Sequence, residues 1–266
     1  MRIFCANSGR CGSLYVSEVF RTLTDLPSFH EPLPWGIGST LAEVNMKEPG
    51  QYSPKTEAEL ALKVERIRKA EVDGRYFESS QMFIKCFAER ILDEFKNVGC
   101  IYLWRNPIET LISRHKKCTE QEGDWILQPE WSRNALRSTR PMSFYEAVLW
   151  EWFEVRERFY RLRPRFKKTY VLEFSRLNDI NEWDRLFDHF GIKRRPRFEL
   201  PRLRRNNIDR GEAAAELDAI FGKWSHPPTS EESKYESKRA EMEAIDAGMT
   251  MIARNAALMN AETFKS

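Results

Sequence analysis

The chain opens with a short apolar run, Ile3-Phe4-Cys5-Ala6, then the turn-like Asn7-Ser8-Gly9-Arg10-Cys11-Gly12-Ser13, then apolar positions at helical spacing over 14–23. Strand, glycine loop and helix in that order build a cradle in which backbone N–H groups and the positive helix end face an anion. Residues 25–54 hold Pro27, Pro32, Pro34, Pro49 and Pro54 with Gly36, Gly38 and Gly50, and read as one long ordered loop or lid. The box Thr56-Glu57-Ala58-Glu59 predicts a helix to about Val72, ended by Asp73-Gly74, and a short strand follows over 75–78. Phe83, Phe87, Ile91 and Phe95 give helical spacing over 81–96, and Gly99 breaks it before a strand over 100–104. Pro107 starts another helix with Asn106 as its N-cap.

Residues 120–140 read as a second long loop, and Ser143-Phe144-Tyr145-Glu146 opens a helix to about Tyr160. A strand over 169–174 and a helix over 179–190, closed by Gly191, complete the pattern. Strands alternating with helices imply an α/β three-layer sandwich around a central, largely parallel sheet. Residues 1–222 are expected to form this core. A charged, Met-containing helix from Thr229 to about Leu258 is expected in a C-terminal helical extension, 223–266, packed on it.

Composition narrows the function classes. With 266 residues and 41% hydrophobic positions the chain has ample material for a core, which excludes global disorder. Forty-three Lys and Arg face 40 Asp and Glu, so the chain is not a generally polybasic nucleic-acid binder. No apolar stretch approaches the roughly 18 residues of a membrane span, and no signal-peptide pattern follows Met1; a soluble, cytoplasmic protein is expected. The five cysteines form no CxxC pair, which fits reduced thiols and no metal site. Cys5, Cys86 and Cys100 sit in apolar runs, whereas Cys11 lies inside the candidate ligand loop.

Two segments carry candidate chemistry. In Ser8-Gly9-Arg10-Cys11-Gly12-Ser13, glycine permits close approach and Ser13 offers a hydroxyl. Taken alone the loop is equally an ordinary strand-to-helix turn. It is not a Walker A loop, because no lysine precedes Ser13. In Tyr102-Leu103-Trp104-Arg105-Asn106-Pro107, Arg105 falls at the carboxyl end of a strand, where open α/β sheets bind ligands, and Ser113 and Arg114 follow one helical stretch later. A magnesium NTPase would place an Asp there; a guanidinium suits an anion site without a metal. Singly, Arg105 also fits a surface ion pair, and Ser113 a helix serine bonded back to the carbonyl of Glu109.

Together the two segments resemble the sulfotransferases that use 3′-phosphoadenosine 5′-phosphosulfate (PAPS). That family's first signature, Arg-Ser-Gly-Thr or Arg-Ser-Gly-Ser between strand and helix, is matched by Arg10-Cys11-Gly12-Ser13. Its second, Arg-(Asp/Asn)-Pro with a Ser eight residues after the Arg, is matched by Arg105-Asn106-Pro107 and Ser113. Val171-Leu172-Glu173-Phe174-Ser175-Arg176-Leu177 before Leu186-Phe187-Asp188-His189-Phe190-Gly191 is similar to a third family segment. The resemblance, over about residues 1–192, implies a P-loop-like fold and transfer of a sulfuryl group from PAPS to a hydroxyl or amine. It implies that Gly9, Arg10, Gly12 and Ser13, with the backbone of Cys11 and Leu14, hold the 5′-phosphosulfate. Arg105 and Ser113 would then hold the 3′-phosphate. Cys11 departs from the usual Ser, and many members carry a loop lysine that is absent here, leaving Arg10 to stabilise the leaving phosphate.

The resemblance also suggests a base. Phe77-Glu78-Ser79-Ser80 resembles the Phe-Glu-Lys-Ser segment of heparan-type N-sulfotransferases, and Glu78 at its strand end would be aimed into the cleft. The alternative for Glu78 is an ion pair, and His30 and Glu31 are held in reserve. Residues 193–210 hold eight basic residues against two acidic ones, and Arg210-Gly211 is similar to the family's basic segment near the 3′-phosphate. Such a run is otherwise a solvated face. Trp150 and Trp152 fit core positions of a helix. The acceptor is expected to be a glycan or glycolipid, with no nucleic-acid partner. A P-loop kinase and a non-catalytic anion- or nucleic-acid-binding module are the competing readings; the missing Walker lysine and strand-end Asp weigh against the first.

Overall fold

The computed structural model describes residues 1–36, 38–107, 109–111, 113–114, 144–196 and 199–202. Five strands form within them: β1 (Arg2–Ala6), β2 (Ser28–His30), β3 (Tyr76–Ser79), β4 (Val98–Trp104) and β5 (Lys168–Glu173). Both faces of the central strands are apolar, so the sheet must be covered on both sides. Phe4 and Ala6 of β1, with Cys100, Tyr102 and Trp104 of β4, face one layer; Ile3, Cys5, Ile101 and Leu103 face the other. All pairings are parallel, in the order β2-β3-β1-β4-β5.

Helices fill the two layers according to their apolar stripes. α1 (Ser13–Leu23) packs Val16, Val19, Phe20 and Leu23 on the second face, beside Trp183, Leu186 and Phe187 from the last helix, Ile180–Phe190. The first face is covered by α2 (Ser39–Met46), α3 (Pro54–Ala70), α4 (Ala88–Glu94) and α5 (Phe144–Leu162). The last helix, α6, has Asp179 as its N-cap, accepting from the Asn181 N–H at 3.0 Å, and left-handed Gly191 as its C-cap. The expected α/β sandwich is therefore the observed fold, and its sheet is wholly parallel. No helix among the described residues is long and apolar enough to cross a membrane. The expected extension over 223–266, like the loop over 120–140, lies outside the described residues.

Three local expectations are corrected. Residues 25–54 are not one loop, since they contain β2 and α2; proline spacing marked their ends but hid the strand, which adds to the open edge of β3. The helix expected from the Thr56 box starts a turn earlier, with Ser53 as N-cap accepting from the Thr56 N–H at 3.3 Å and Pro54 as first residue. The helix over 81–96 begins as a π-helical turn, Phe83–Phe87. Such turns are frequent at functional sites, and this one buries Lys85.

β4 starts at Val98 and not at Cys100 as expected, so Gly99 lies inside the strand, where the space a side chain would take is filled. A Cβ there would stand 2.8 Å from Phe190 Cε1 and 3.0 Å from Met1 Sδ. Gly99→Ala is expected to destabilise the fold by about 1–3 kcal/mol through overpacking, read as a lowered midpoint in thermal or urea unfolding.

Candidate functional site

The chain leaves β1 at the centre of the sheet, and later strands add on either side of it, so the crevice beyond the carboxyl ends of β1 and β4 is the expected ligand position of an open α/β sheet. The backbone there turns sharply. Gly9, Arg10 and Gly12 have φ values of 80°, 54° and 87°, and such turns gather N–H groups into a concavity. A left-handed arginine is uncommon and costs on the order of 1–2 kcal/mol, so the loop is held by its surroundings. Asn7 helps, taking the Gly9 N–H at 2.9 Å on Oδ1 while its amide donates to the Cys5 carbonyl at 3.2 Å. At the other end Gly12 caps α1 without a side-chain hydrogen bond, and the first turn of α1 contains no acid. The positive helix end is thus left to an external group.

The second segment meets this loop directly. Arg105 Nη1 donates to the Arg10 carbonyl at 2.6 Å, its guanidinium lies 4.2 Å from the Phe174 ring centre, and Nε is 3.4 Å from Glu109. Trp152 of α5 anchors the same residue by donating from Nε1 to the Arg105 carbonyl at 3.0 Å. The third segment closes the group, because a Cβ on Gly12 would lie 2.9 Å from Leu177 and 3.1 Å from Phe174. Residues 107, 109–111, 113 and 114 are helical, with Asn106 as N-cap accepting from the Glu109 N–H at 3.3 Å. Ser113 is buried in that helix.

Beneath the loop lies a charged cluster that sequence reasoning missed. Arg114 donates to the Ser8 carbonyl and, through both Nη atoms, to Glu151, with Nη2 to Oε1 at 2.7 Å. Lys85 of the π-helical turn donates to the same carboxylate and to Gln81 Oε1 at 3.1 Å. All three charged side chains are about 97% buried or more. Burial alone would push the Glu151 pKa up, but Arg114 and Lys85 hold it below the usual carboxylate range. Burial brings Lys85 down to about 8 despite Glu151. The only sequence signal was Arg114, the residue after the expected contact Ser113; Lys85 and Glu151 lie on other elements and carried none.

Not every expected site residue falls here. Glu78 does not face the cleft: it is fully buried toward α3, Oε1 accepting from Lys63 Nζ at 2.7 Å and Oε2 from the Tyr76 hydroxyl at 2.8 Å. Strand alternation gives the reason, since Glu78 shares its face with Tyr76 and the α3 layer. The Cys11 side chain also turns inward, with Sγ bonded to the Gly9 carbonyl at 3.0 Å, so only its backbone is available to a ligand. Ser13 and Leu14 open α1 at the loop, Leu14 with its side chain outward. His30 ends β2, half-buried, with Nδ1 3.0 Å from the Ser79 carbonyl. A carbonyl only accepts, so in the neutral ring Nδ1 carries the proton and Nε2 the lone pair. Arg210 lies outside the described residues.

No family model matches the chain, and no curated protein does. Among solved structures it is similar to a sulfotransferase from Alicyclobacillus acidocaldarius, at 15% sequence identity and a TM-score of 0.47, over 83% of this chain and 91% of that one.

Two outcomes follow from the packing. Gly12→Ala is expected to weaken the chain's affinity for anions, because the left-handed φ and the Leu177 and Phe174 contacts both oppose a methyl; a sulfate titration followed by thermal shift checks this. Glu78→Gln leaves the Lys63 ammonium buried without its carboxylate and is expected to cost about 3–5 kcal/mol of stability, measured by urea unfolding.

Proposed function

We propose that this chain is a PAPS-dependent sulfotransferase acting on a hydroxyl or amine. The observation that carries the reading is the hydrogen bond from Arg105 to the Arg10 carbonyl, which makes the β1 loop and the end of β4 parts of one cationic rim. The residues fit such a donor: the loop over 8–13 supplies N–H groups, the α1 end and Arg10 for a 5′-phosphosulfate. Arg105 supplies a planar fork for a 3′-phosphate, with Ser113 behind it and Arg210 as a further candidate. When bound, the donor supplies an activated sulfuryl group and a phosphate leaving group.

In this reading Arg10 and the loop N–H groups stabilise negative charge that develops on the leaving oxygen, as preformed donors do in an oxyanion hole. A base takes the acceptor proton. His30 is the better-placed candidate, since Nε2 carries its lone pair, while Glu78 holds Lys63 in the core. A glycan or glycolipid acceptor is favoured by the polar cavity of about 330 Å³ between α2, α3, α4 and α5, whose walls include Glu57, Arg90 and Arg161. Charged side chains of this kind can hydrogen-bond the hydroxyls of such an acceptor.

A thermal-shift panel of 3′,5′-adenosine bisphosphate, ATP with magnesium, and an oligonucleotide tests the reading; stabilisation by the bisphosphate alone is expected, and stabilisation only by ATP with magnesium or by the oligonucleotide would overturn it. Arg10→Ala is expected to lower the transfer rate by about 10²–10³ with the fold retained. Arg105→Ala is expected mainly to weaken bisphosphate affinity in calorimetry, and His30→Ala to abolish turnover while nucleotide binding persists.

A further inference from the structure

A second cavity, of about 290 Å³, opens on the α3 side of the sheet, and its lining is mostly apolar. Phe29 of β2 and Tyr76 of β3 form one wall, their rings stacked with centres 5.2 Å apart, and Ile67 and Ala70 of α3 form the other. Pro32 and Leu33, from the segment that follows β2, stand at one end. Tyr76 opens β3 opposite Arg2, the first residue of β1, whereas β2 ends at His30 opposite Ser79, the last residue of β3. The groove therefore runs along α3 from the amino ends of the strands to their carboxyl ends, where the anion loop also lies.

The polar groups of these walls are engaged within the protein. Lys63 Nζ donates to Glu78 at 2.7 Å and to the Pro32 carbonyl at 3.3 Å, and the Tyr76 hydroxyl donates to Glu78 at 2.8 Å. Arg66 Nη1 donates to the Leu33 carbonyl at 3.3 Å. A sugar or a peptide backbone in the groove would bring donors and acceptors that find few partners on these walls, which is costly. A hydrocarbon chain brings none and gains by leaving water.

The segment at the mouth is fixed by further bonds. The Glu31 N–H donates to the Ser79 carbonyl at 3.1 Å, Trp35 Nε1 to the Glu31 carbonyl at 2.9 Å, and the Gly36 N–H to Glu59 at 3.0 Å. So held, the segment leaves Leu33 49% and Trp35 53% exposed. Leu33 lies in the mouth and Trp35 two residues on, so the apolar surface of the groove continues toward solvent.

We propose that the groove takes the alkyl chain of a lipid-type acceptor, whose hydroxyl is thereby presented to His30, two residues before Pro32. This deepens the reading given above, on which it rests, by narrowing the acceptor to one with a hydrocarbon tail. In the transfer the acceptor oxygen bonds to sulfur as the bridging S–O bond breaks; the proton passes to His30 Nε2, and the electron pair leaves with the nucleotide phosphate. Contacts to the tail are the same before and during transfer, so they lower KM and leave kcat unchanged.

The test is calorimetry on the full chain with glucose and with hexyl, octyl and decyl glucosides, each below its micelle concentration, beside a titration of 3′,5′-adenosine bisphosphate. Affinity is expected to rise by up to roughly tenfold for every two methylenes added, with glucose bound far more weakly. In turnover with PAPS the rise should appear in the acceptor KM, with kcat level. Ala70→Phe, which fills the groove from α3, should flatten the series. Leu33→Ser, which removes the apolar mouth at an exposed position, should lower decyl glucoside affinity several-fold. Both should bind the bisphosphate like the parent, and if Ala70→Phe does not fold, Leu33→Ser decides. Equal affinity along the series in the parent, or a series that neither variant alters, would overturn the groove and leave the nucleotide reading intact. A dimer seen by light scattering in the parent and lost in Leu33→Ser would also overturn it, by giving the groove to a second copy. A steep series without bisphosphate binding would support the groove and sink the sulfotransferase reading. Binding of neither would overturn both.

Discussion

The candidate site depends on one carboxylate. Glu151, fixed on α5, is the shared acceptor of Arg114 and Lys85, and through Arg114 it reaches the Ser8 carbonyl. Ion groups so deeply buried stabilise a fold only when their hydrogen-bonding positions are filled, and here the partners come from the helix after β4, the π-helical turn and the loop after β1. The same arrangement that satisfies these charges fixes the Ser8 carbonyl inward and so helps to hold the left-handed turns of the loop.

Two buried charge arrangements on the same face of the sheet thus do different work. Lys63 and Glu78 cancel, with Tyr76 completing the carboxylate, and burial together with that carboxylate pushes the Tyr76 phenol up so that it stays a donor. The pair joins α3 to β3. The Lys85–Glu151–Arg114 cluster joins α5 to the π-helical turn and to the helix after β4, and it abuts the loop rimmed by Arg10 and Arg105. The chain-wide near-balance of 43 basic and 40 acidic residues is therefore compatible with a local excess of positive charge at one crevice.

Much of the fold was legible because parallel strands buried on both faces read as apolar runs, and because caps at Asn106, Asp179 and Gly191 are local chemistry. The convergence of the first two segments was also legible, since loops at the carboxyl ends of adjacent parallel strands must meet. What failed was side-chain direction and long-range pairing. Glu78 was expected in the cleft, yet one position along a strand reverses the face, and its lysine partner lies on a helix where nothing in the spacing marks it. β2 was hidden among prolines, and the π-helical turn has no sequence signature apart from an ordinary helical stripe. The Lys85–Glu151–Arg114 cluster joins residues up to 66 positions apart, which only tertiary structure brings together.

The most direct measurement is a crystal structure of the complex with 3′,5′-adenosine bisphosphate. The account predicts the 5′-phosphate on the backbone N–H groups of the loop between Ser8 and Ser13, the 3′-phosphate within hydrogen-bond reach of Arg105, and Arg114 still joined to Ser8 and Glu151. A nucleotide bound instead in the cavity between α2 and α5, with the loop over 8–13 unengaged, would contradict it.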